Sequence, residues 1–428
     1  MQSRRPETLT THLIRAGFAD LTRSASLWRD PDLVSVLDSR PKGARGADHA
    51  AGPDRGAVEL APADAALLRA LAVVADPDLA LLQLVRLAAA APDRLRPVLA
   101  VPDGEPAESR DADDGEAPQP SARDRLLRVL GSSSALGDEL VRHPALLDLI
   151  GDRTPGTGVP AEAVRAELLR AIDADPESAE PVAGTSVPAD GPAPADGGPT
   201  SYTDRLRRAY RARLLRIAAT DVTAPDPLVV LPAVAAALAD LAAAALEGAL
   251  AIARADEDDH AAGVRLAVLG MGKTGGRELN YISDVDVIYV AEPGLLPDGA
   301  PACDEDHALR VAARLAGRLA QVCSGPSAEP ALWQVDAALR PEGKQGPLVR
   351  TLASHVAYYE RWAVTWEFQA LLKARPVAGD LALGEEYVAA VGPLVWQAVE
   401  RPNFVEDARA MRKRVEDNGP VAEADRQV

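Results

Sequence analysis

Leucine, valine and alanine recur at helical spacing through residues 64–91 (DAALLRALAVVADPDLALLQLVRLAAAA), and the repeat is interrupted at Asp76-Pro77. A second helical block covers 123–150, where Pro144 after Arg142-His143 marks a new helix start. His143 at that junction reads as a capping or packing group. Residues 204–219 (DRLRRAYRARLLRIAA) place Leu206, Tyr210, Leu214 and Ile217 on one helical face. Six arginines (205, 207, 208, 211, 213 and 216) occupy much of the remainder, which predicts a solvated basic face with room for a phosphate or partner contact. Residues 227–254 form an alanine-leucine helix of buried type.

At residue 264 the period changes. VRLAVLG (264–270), VDVIYV (285–290) and LWQVDAALR (332–340) read as strands, with a helix over 307–324 between the last two. Strands embedded among helices predict an α+β fold: a mainly helical chain with one mixed sheet. Three stretches, about 40–58, 101–122 and 174–200, are rich in Pro, Gly, Ala, Asp and Ser and carry too little apolar surface to offset the entropy of ordering. The expected division is therefore a helical region 1–122 with disordered insertions, a helical region 123–254 with a loop at 174–200, an α+β core 255–385, and the start of a helical bundle at 386–428.

Composition narrows the chemistry. The 428 residues are 47% hydrophobic but only 4% aromatic, so alanine, leucine and valine carry the packing. With 46 Lys and Arg against 64 Asp and Glu the net charge is −18, which repels nucleic acid and favours a protein or small-molecule substrate. The two cysteines, Cys303 and Cys323, form neither a disulfide framework nor a zinc pattern, and a reducing cytoplasm is the expected compartment. The N-terminal segment lacks the apolar run of a signal peptide. Pro232, Asp240 and Glu247 interrupt 229–252, so no membrane span is expected.

The specific signal lies in LAVLGMGKTGGRELNYISDVDVIYV (266–290). Gly270 through Gly275 fits G-x-G-x-x-G, yet the next strand begins about ten residues on, too soon for the helix a dinucleotide fold requires. Ala267 through Thr274 fits a relaxed Walker A pattern, but Gly275-Gly276 falls where that helix must start. A third reading uses every feature. Gly270, Gly272, Gly275 and Gly276, with Lys273, make a bare turn whose amides face phosphate oxygens. Ser283 then leads into Asp284 and Asp286, which share one strand face. Two such carboxylates repel one another unless a cation lies between them, and Mg2+ takes oxygen ligands completed by substrate phosphates. Asp336, opposite the apolar face of 332–340, is the third candidate ligand, and Arg340 shares its face as a partner for phosphate charge.

The same residues carry a family resemblance. GMGKTGGRELNYISDVDVIYV closely resembles the signature of bifunctional glutamine synthetase adenylyltransferase/adenylyl-removing enzymes, members of the polymerase-β-like nucleotidyltransferase superfamily. GSSSALGDELVRHPALLDLI (131–150), the arginine-rich helix, VDAALRPEGKQGPLV (335–349), YYERWAVTWEFQALLKARPVAGD (358–380) and RPNFVEDARAMRKRVED (401–417) agree in order, so the resemblance spans roughly 125–428. It implies a nucleotidyltransferase core at 255–385, with Asp284, Asp286 and Asp336 as catalytic metal ligands. It also implies Gly270, Gly272, Lys273, Gly275, Gly276 and Ser283 at the phosphate loop, and Arg340, Lys344, Lys373 and Arg375 as phosphate or nucleotide contacts.

The resemblance implies further that glutamine synthetase is the protein substrate, with AMP, ADP, ATP, phosphate and Mg2+ at the site and a PII-type nitrogen-signalling protein as a regulatory partner. The single glycine-loop core resembles the first, adenylyl-removing domain, and the chain is expected to be a fragment of a two-core enzyme. ATP-dependent adenylylation and a non-catalytic regulatory role are the alternatives. Trp362 and Trp366, four apart, are expected to pack on one helix.

Overall fold

A computed structural model of the chain describes residues 8–37, 62–100, 120–152, 154–185, 201–257, 263–398 and 404–418. The expected loop at 40–58 lies outside these residues, as do most of 101–122 and the segment 186–200. The chain forms two compact units, Met1–Thr157 with Arg211–Leu231, and Gly158–Tyr210 with Pro232–Val428.

The first unit is helical. Its elements are α1 (Leu9–Arg15), α2 (Leu21–Trp28), α3 (Pro31–Leu37), α4 (Pro62–Leu71), α5 (Pro77–Ala90), α6 (Pro92–Leu99), α7 (Ala122–Leu130), α8 (Ser134–Arg142) and α9 (Leu147–Gly151). Local chemistry sets the boundaries. Asp76 accepts from Leu79 N at 2.9 Å and starts α5 where the apolar repeat is broken. Ser121 and Asp124 form a capping box at α7. His143 is the C-cap residue of α8, with Nε2 3.7 Å from Glu139, which agrees with the capping reading. The expected boundary at 122/123 runs through one core, because Leu13, Leu71, Leu84 and Leu95 pack in the same cluster as Leu126, Leu127 and Leu130. Helices on either side of the intervening polar stretch are each apolar on one face only, and burying those faces together is what joins them.

The second unit holds α10 (Ala161–Ala171), parts of α11 (Tyr202–Asp221) and α12 (Pro227–Glu257), and the sheet. The strands are β1 (Val264–Gly270), β2 (Val285–Pro293), β3 (Val335–Asp336), β4 (Val349–Arg350) and β5 (Arg375–Gly379). Their order is β3-β2-β1-β5, with β4 also on β2. β1 runs antiparallel to β2 and β5, while β2 is parallel to β3 and β4, so the sheet is mixed as expected. Val285, Val287, Ile288, Tyr289 and Val290 are all at most 2% exposed, so β2 is covered on both faces. α14 (Glu305–Ser324) packs on β1 and β2. Leu269, Ile288 and Val290 instead join a cluster with Tyr359 of α15 (Leu352–Arg361), Phe368 of α16 (Thr365–Leu371), and Leu383 and Tyr387 of α17 (Leu381–Ala398). α17 crosses the expected boundary at 385/386 and packs on β1 and β5, so the core runs on to residue 398. α18 (Phe404–Asn418) packs against α16.

Two further expectations are corrected, those for the strand at 332–340 and for the tryptophan pair. The strand over 332–340 is reduced to Val335–Asp336, because Asp336 turns its carboxylate onto Ala338 N at 2.8 Å and ends the ladder. Trp362 and Trp366 do not share a helix: Trp362 is the C-cap residue of α15 and is 71% exposed. The helix expected at 227–254 is continuous through Pro232 and is long and apolar enough by composition to cross a membrane. Its buried acids are paired within the second unit, Asp240 with Arg277 and Glu247 with Arg254 and Gly379 N.

His355 sits in the aromatic cluster, 1% exposed, edge-on to Tyr387 and stacked with Tyr359. Burial, with a smaller contribution from Arg350, pushes its pKa down to about 4. The fold therefore holds the ring neutral, while the unfolded chain protonates it below its ordinary value of 6.5. Stability from this residue is complete above pH 6.5 and falls as pH drops toward 4, by up to about 3 kcal/mol. Denaturant midpoints measured from pH 7 to 4.5 should show His355→Phe gaining on the unsubstituted chain as pH falls. A difference independent of pH would mean that the ring ionises as readily in the fold as in the unfolded chain.

Candidate active site

The site is built where β1 gives way to a tight turn against the start of β2. After Gly270 the chain forms a single helical turn, α13 (Gly272–Gly275), so the turn expected to be bare backbone is helical over four residues. Met271 N donates to Asp286 O at 2.9 Å, which ties the turn to β2. Gly272 takes φ +49°, and a Cβ there would lie 3.0 Å from Asp286 Oδ2. At Gly275 a side chain would overlap the carbonyl oxygens of Lys373 and Gly270. The glycines thus serve close approach on two sides: Gly272 toward a carboxylate, Gly275 toward the segment entering β5.

The structure brings the three aspartates together. Asp286 and Asp336 are register partners across the parallel β2–β3 pair, which puts their side chains on one face about 5 Å apart. Asp284 is exposed and lies just before β2, two positions from Asp286. Burial, then the charge of Asp336, then that of Asp284 raise the pKa of Asp286 to about 6, with Lys273 opposing. With Asp284 and Asp336 opposing the ionisation of Asp286, the three carboxylates form an all-oxygen donor set of the type that holds hard divalent cations.

The basic residues sit differently from the sequence expectation. Lys273 is exposed and its Nζ reaches Asn280 Oδ1 at 3.3 Å. Lys344 is exposed on a one-turn 3-10 helix, Gly343–Gln345. Ser283 donates to Asp284 O at 3.0 Å. Lys373 pairs with Glu278. Two arginines expected to face phosphate spend their guanidinium groups on main-chain carbonyls. Arg340 Nη1 donates to Ala337 O at 2.7 Å, and its Nε and Nη2 donate to Gly346 O, closing the loop after β3. Arg375 donates to Gly275 O and Thr274 O at 3.1 Å each, and so grips the glycine turn from behind.

The basic helix is also corrected, since its face is not solvated. Arg207 is 0% exposed and donates to the carbonyls of Val322, Gly325 and Glu329 at 2.7–3.0 Å. Arg205 forms two bonds to Asp173, and Arg208 reaches Glu329. Asp204 accepts from Ser327 Oγ and Glu329 N. The first turns of α11 therefore anchor the segment that leads into β3 and Asp336. Sequence reasoning missed this role, and it missed Asp240 and Arg277 behind the glycine turn; an acid inside an alanine-leucine helix was the available signal for the latter pair.

The family model described as glutamate-ammonia ligase adenylyltransferase matches residues 123–390. That range holds the sheet, the glycine turn and all three aspartates. The chain belongs to this family. Among curated relatives, the bifunctional glutamine synthetase adenylyltransferase/adenylyl-removing enzyme of Streptomyces avermitilis is 48% identical over 372 residues, covering 86% of this chain and 32% of the relative. The same-named protein of Bifidobacterium longum subsp. infantis is 40% identical, covering 97% and 34%. That of Cutibacterium acnes is 50% identical, covering 68% and 28%. The chain spans about a third of the length of these curated relatives. Within the adenylyltransferase family, then, it corresponds to a stretch containing one carboxylate-bearing sheet.

Proposed function

We propose that this chain removes AMP from an adenylylated tyrosine of glutamine synthetase by phosphorolysis, releasing ADP and restoring the free tyrosine in the control of nitrogen assimilation. The observation that carries the reading is the register pairing of Asp286 with Asp336 beside Asp284, next to a glycine turn. The relatives' printed names supply the protein substrate and both directions of transfer. The order of segments resembles the adenylyl-removing half of such enzymes, which supports the removal direction.

Asp284, Asp286 and Asp336 would hold one or two Mg2+ ions, whose charge would neutralise that developing on the transferred phosphoryl group. The rest is positioning by the chain. The glycine turn, held by Arg375 and by Met271 N, offers close backbone approach to phosphate oxygens. Exposed Lys273 and Lys344 supply mobile positive charge. Orthophosphate oxygen forms the new bond to the AMP phosphorus as the bond to the tyrosine oxygen breaks, and that oxygen departs with the electron pair. A phenol of pKa near 10 is a moderate leaving group, so electrostatic stabilisation outweighs acid catalysis.

Asp284→Asn and Asp336→Asn should each lower ADP formation from adenylylated glutamine synthetase and phosphate by about 1000-fold. Full rates in both variants would remove the reading. In a parallel reaction, labelled ATP and unmodified glutamine synthetase test adenylylation: transfer of label there without phosphorolysis would assign the forward direction instead.

A further inference from the structure

We propose that Asp240 is a positioning residue of the glycine turn: acting through Arg277, it fixes the backbone of residues 271–276 beside Asp286. The inference rests on the proposed nucleotidyl transfer for its functional part, and on geometry for the rest.

Three observations meet at this point. Arg277, directly after Gly275-Gly276, has φ +56°, a left-handed conformation that costs a non-glycine residue roughly 1 kcal/mol and that glycine adopts freely. The sequence nevertheless places arginine there, next to two glycines. Its guanidinium forms two bonds to Asp240, Nε to Oδ1 at 3.1 Å and Nη2 to Oδ2 at 2.5 Å. Asp240 is itself 5% exposed, a carboxylate set into the alanine-leucine face of α12 where an unpaired charge would be costly. Arg375 comes from a third element, grips Gly275 O and Thr274 O, and is attracted by the same Asp240. One buried carboxylate thus holds the guanidinium that ends the glycine turn and attracts, without bonding it, the one that holds the turn's carbonyls.

The front of the turn is tied to the site as well. Met271 N bonds Asp286 O, and the open side of Gly272 faces Asp286 Oδ2. Displacing the back of the turn would therefore shift the amides that lie beside the metal-holding carboxylates. Small displacements of this kind cost turnover without unfolding the protein.

The test uses the full chain with Arg277→Gly, Asp240→Asn, the double variant, Arg277→Lys, and Asp284→Asn as a reference. Arg277→Gly relieves the left-handed strain but leaves the buried Asp240 carboxylate without its partner, so its melting temperature should fall by several degrees, and adding Asp240→Asn should recover part of that fall. Amide hydrogen exchange across 271–276 should accelerate about tenfold in Arg277→Gly and Asp240→Asn. In phosphorolysis, kcat/KM should fall about 10- to 100-fold, with the loss in KM for phosphate as well as in kcat. The double variant should be no worse than the single ones, and Arg277→Lys should recover part of the loss. Unchanged exchange at 271–276 in both single variants overturns the proposal, and so does exchange that accelerates equally throughout the second unit, which would mark a purely structural pair. If Asp284→Asn abolishes turnover while the Asp240 and Arg277 variants retain it, the transfer reading stands and this one fails. If exchange accelerates as expected but the parent chain performs no phosphorolysis, the tether stands and the transfer reading fails.

Discussion

Asp286→Asn is expected to make the metal-free chain more stable at pH 7.5 while abolishing nucleotidyl transfer. The carboxyl is partly buried and faces Asp336 and Asp284, which together hold its pKa at about 6, above the ordinary 3.8. The sign follows from linkage. An acid that binds its proton more tightly in the fold than in the unfolded chain contributes most to stability below the unfolded pKa, and that contribution is lost as pH rises through 6. At pH 7.5 the fold carries the whole cost of crowding three negative charges, and an amide removes it. The shift corresponds to about 3 kcal/mol at most, and solvent screening at a half-buried site reduces this to about 1–2 kcal/mol, a few degrees in melting temperature. Thermal unfolding from pH 4 to 8 without metal should show the two proteins converging below pH 4 and separating above 6. Added Mg2+ should raise the melting temperature of the parent chain and leave Asp286→Asn nearly unmoved. A variant less stable than the parent at pH 7.5 would show that burial and the two neighbouring carboxylates do not oppose the ionisation of Asp286.

Arg207→Ala should carry the largest stability loss, about 3–5 kcal/mol. The guanidinium is fully buried and supplies four hydrogen bonds to three carbonyls, at Val322, Gly325 and Glu329. Truncation leaves those acceptors without water or donor and opens a cavity beside the end of α14. Arg207→Lys keeps the charge but loses the planar fork that serves carbonyls on both sides of the turn, so it should recover less than half of the deficit. Urea unfolding checks both variants. Because this segment delivers β3, activity should also fall in conditions where the variants remain folded. A loss under 1 kcal/mol for Arg207→Ala would mean the helix is held chiefly by its apolar face.

Much of this arrangement is legible in the chain alone, for identifiable reasons. β1 falls at 264–270 as read, because a run of large apolar residues ending in glycine has few other uses. The aspartates were legible because alternation along a strand fixes side-chain direction whatever the surroundings. What escaped was set by partners far away in sequence. β5 contains Pro376 and only five residues, so it carries no strand signal of its own and exists because β1 offers it an edge. The destinations of Arg207, Arg340 and Arg375 were misread for one shared reason. Helical or strand periodicity says which face an arginine occupies, but not whether a carbonyl, a carboxylate or water meets it there. β3 was drawn too long because the bond from Ala338 N to the carboxylate of Asp336 competes with the ladder, and alternation of apolar residues contains no trace of that competition.

The glycine turn also has a consequence for biosynthesis. Its signature emerges from the ribosome by residue 276, yet the donors that hold its carbonyls come from Arg375, 100 and 101 positions later, and the wall against Gly275 is the carbonyl of Lys373. Between the addition of Asp336 and that of Arg375 the nascent chain carries all three aspartates without a finished cradle. A polypeptide released before residue 379 would display the motif and lack the architecture behind it. Competence would then arrive in one step, when β5 docks along β1.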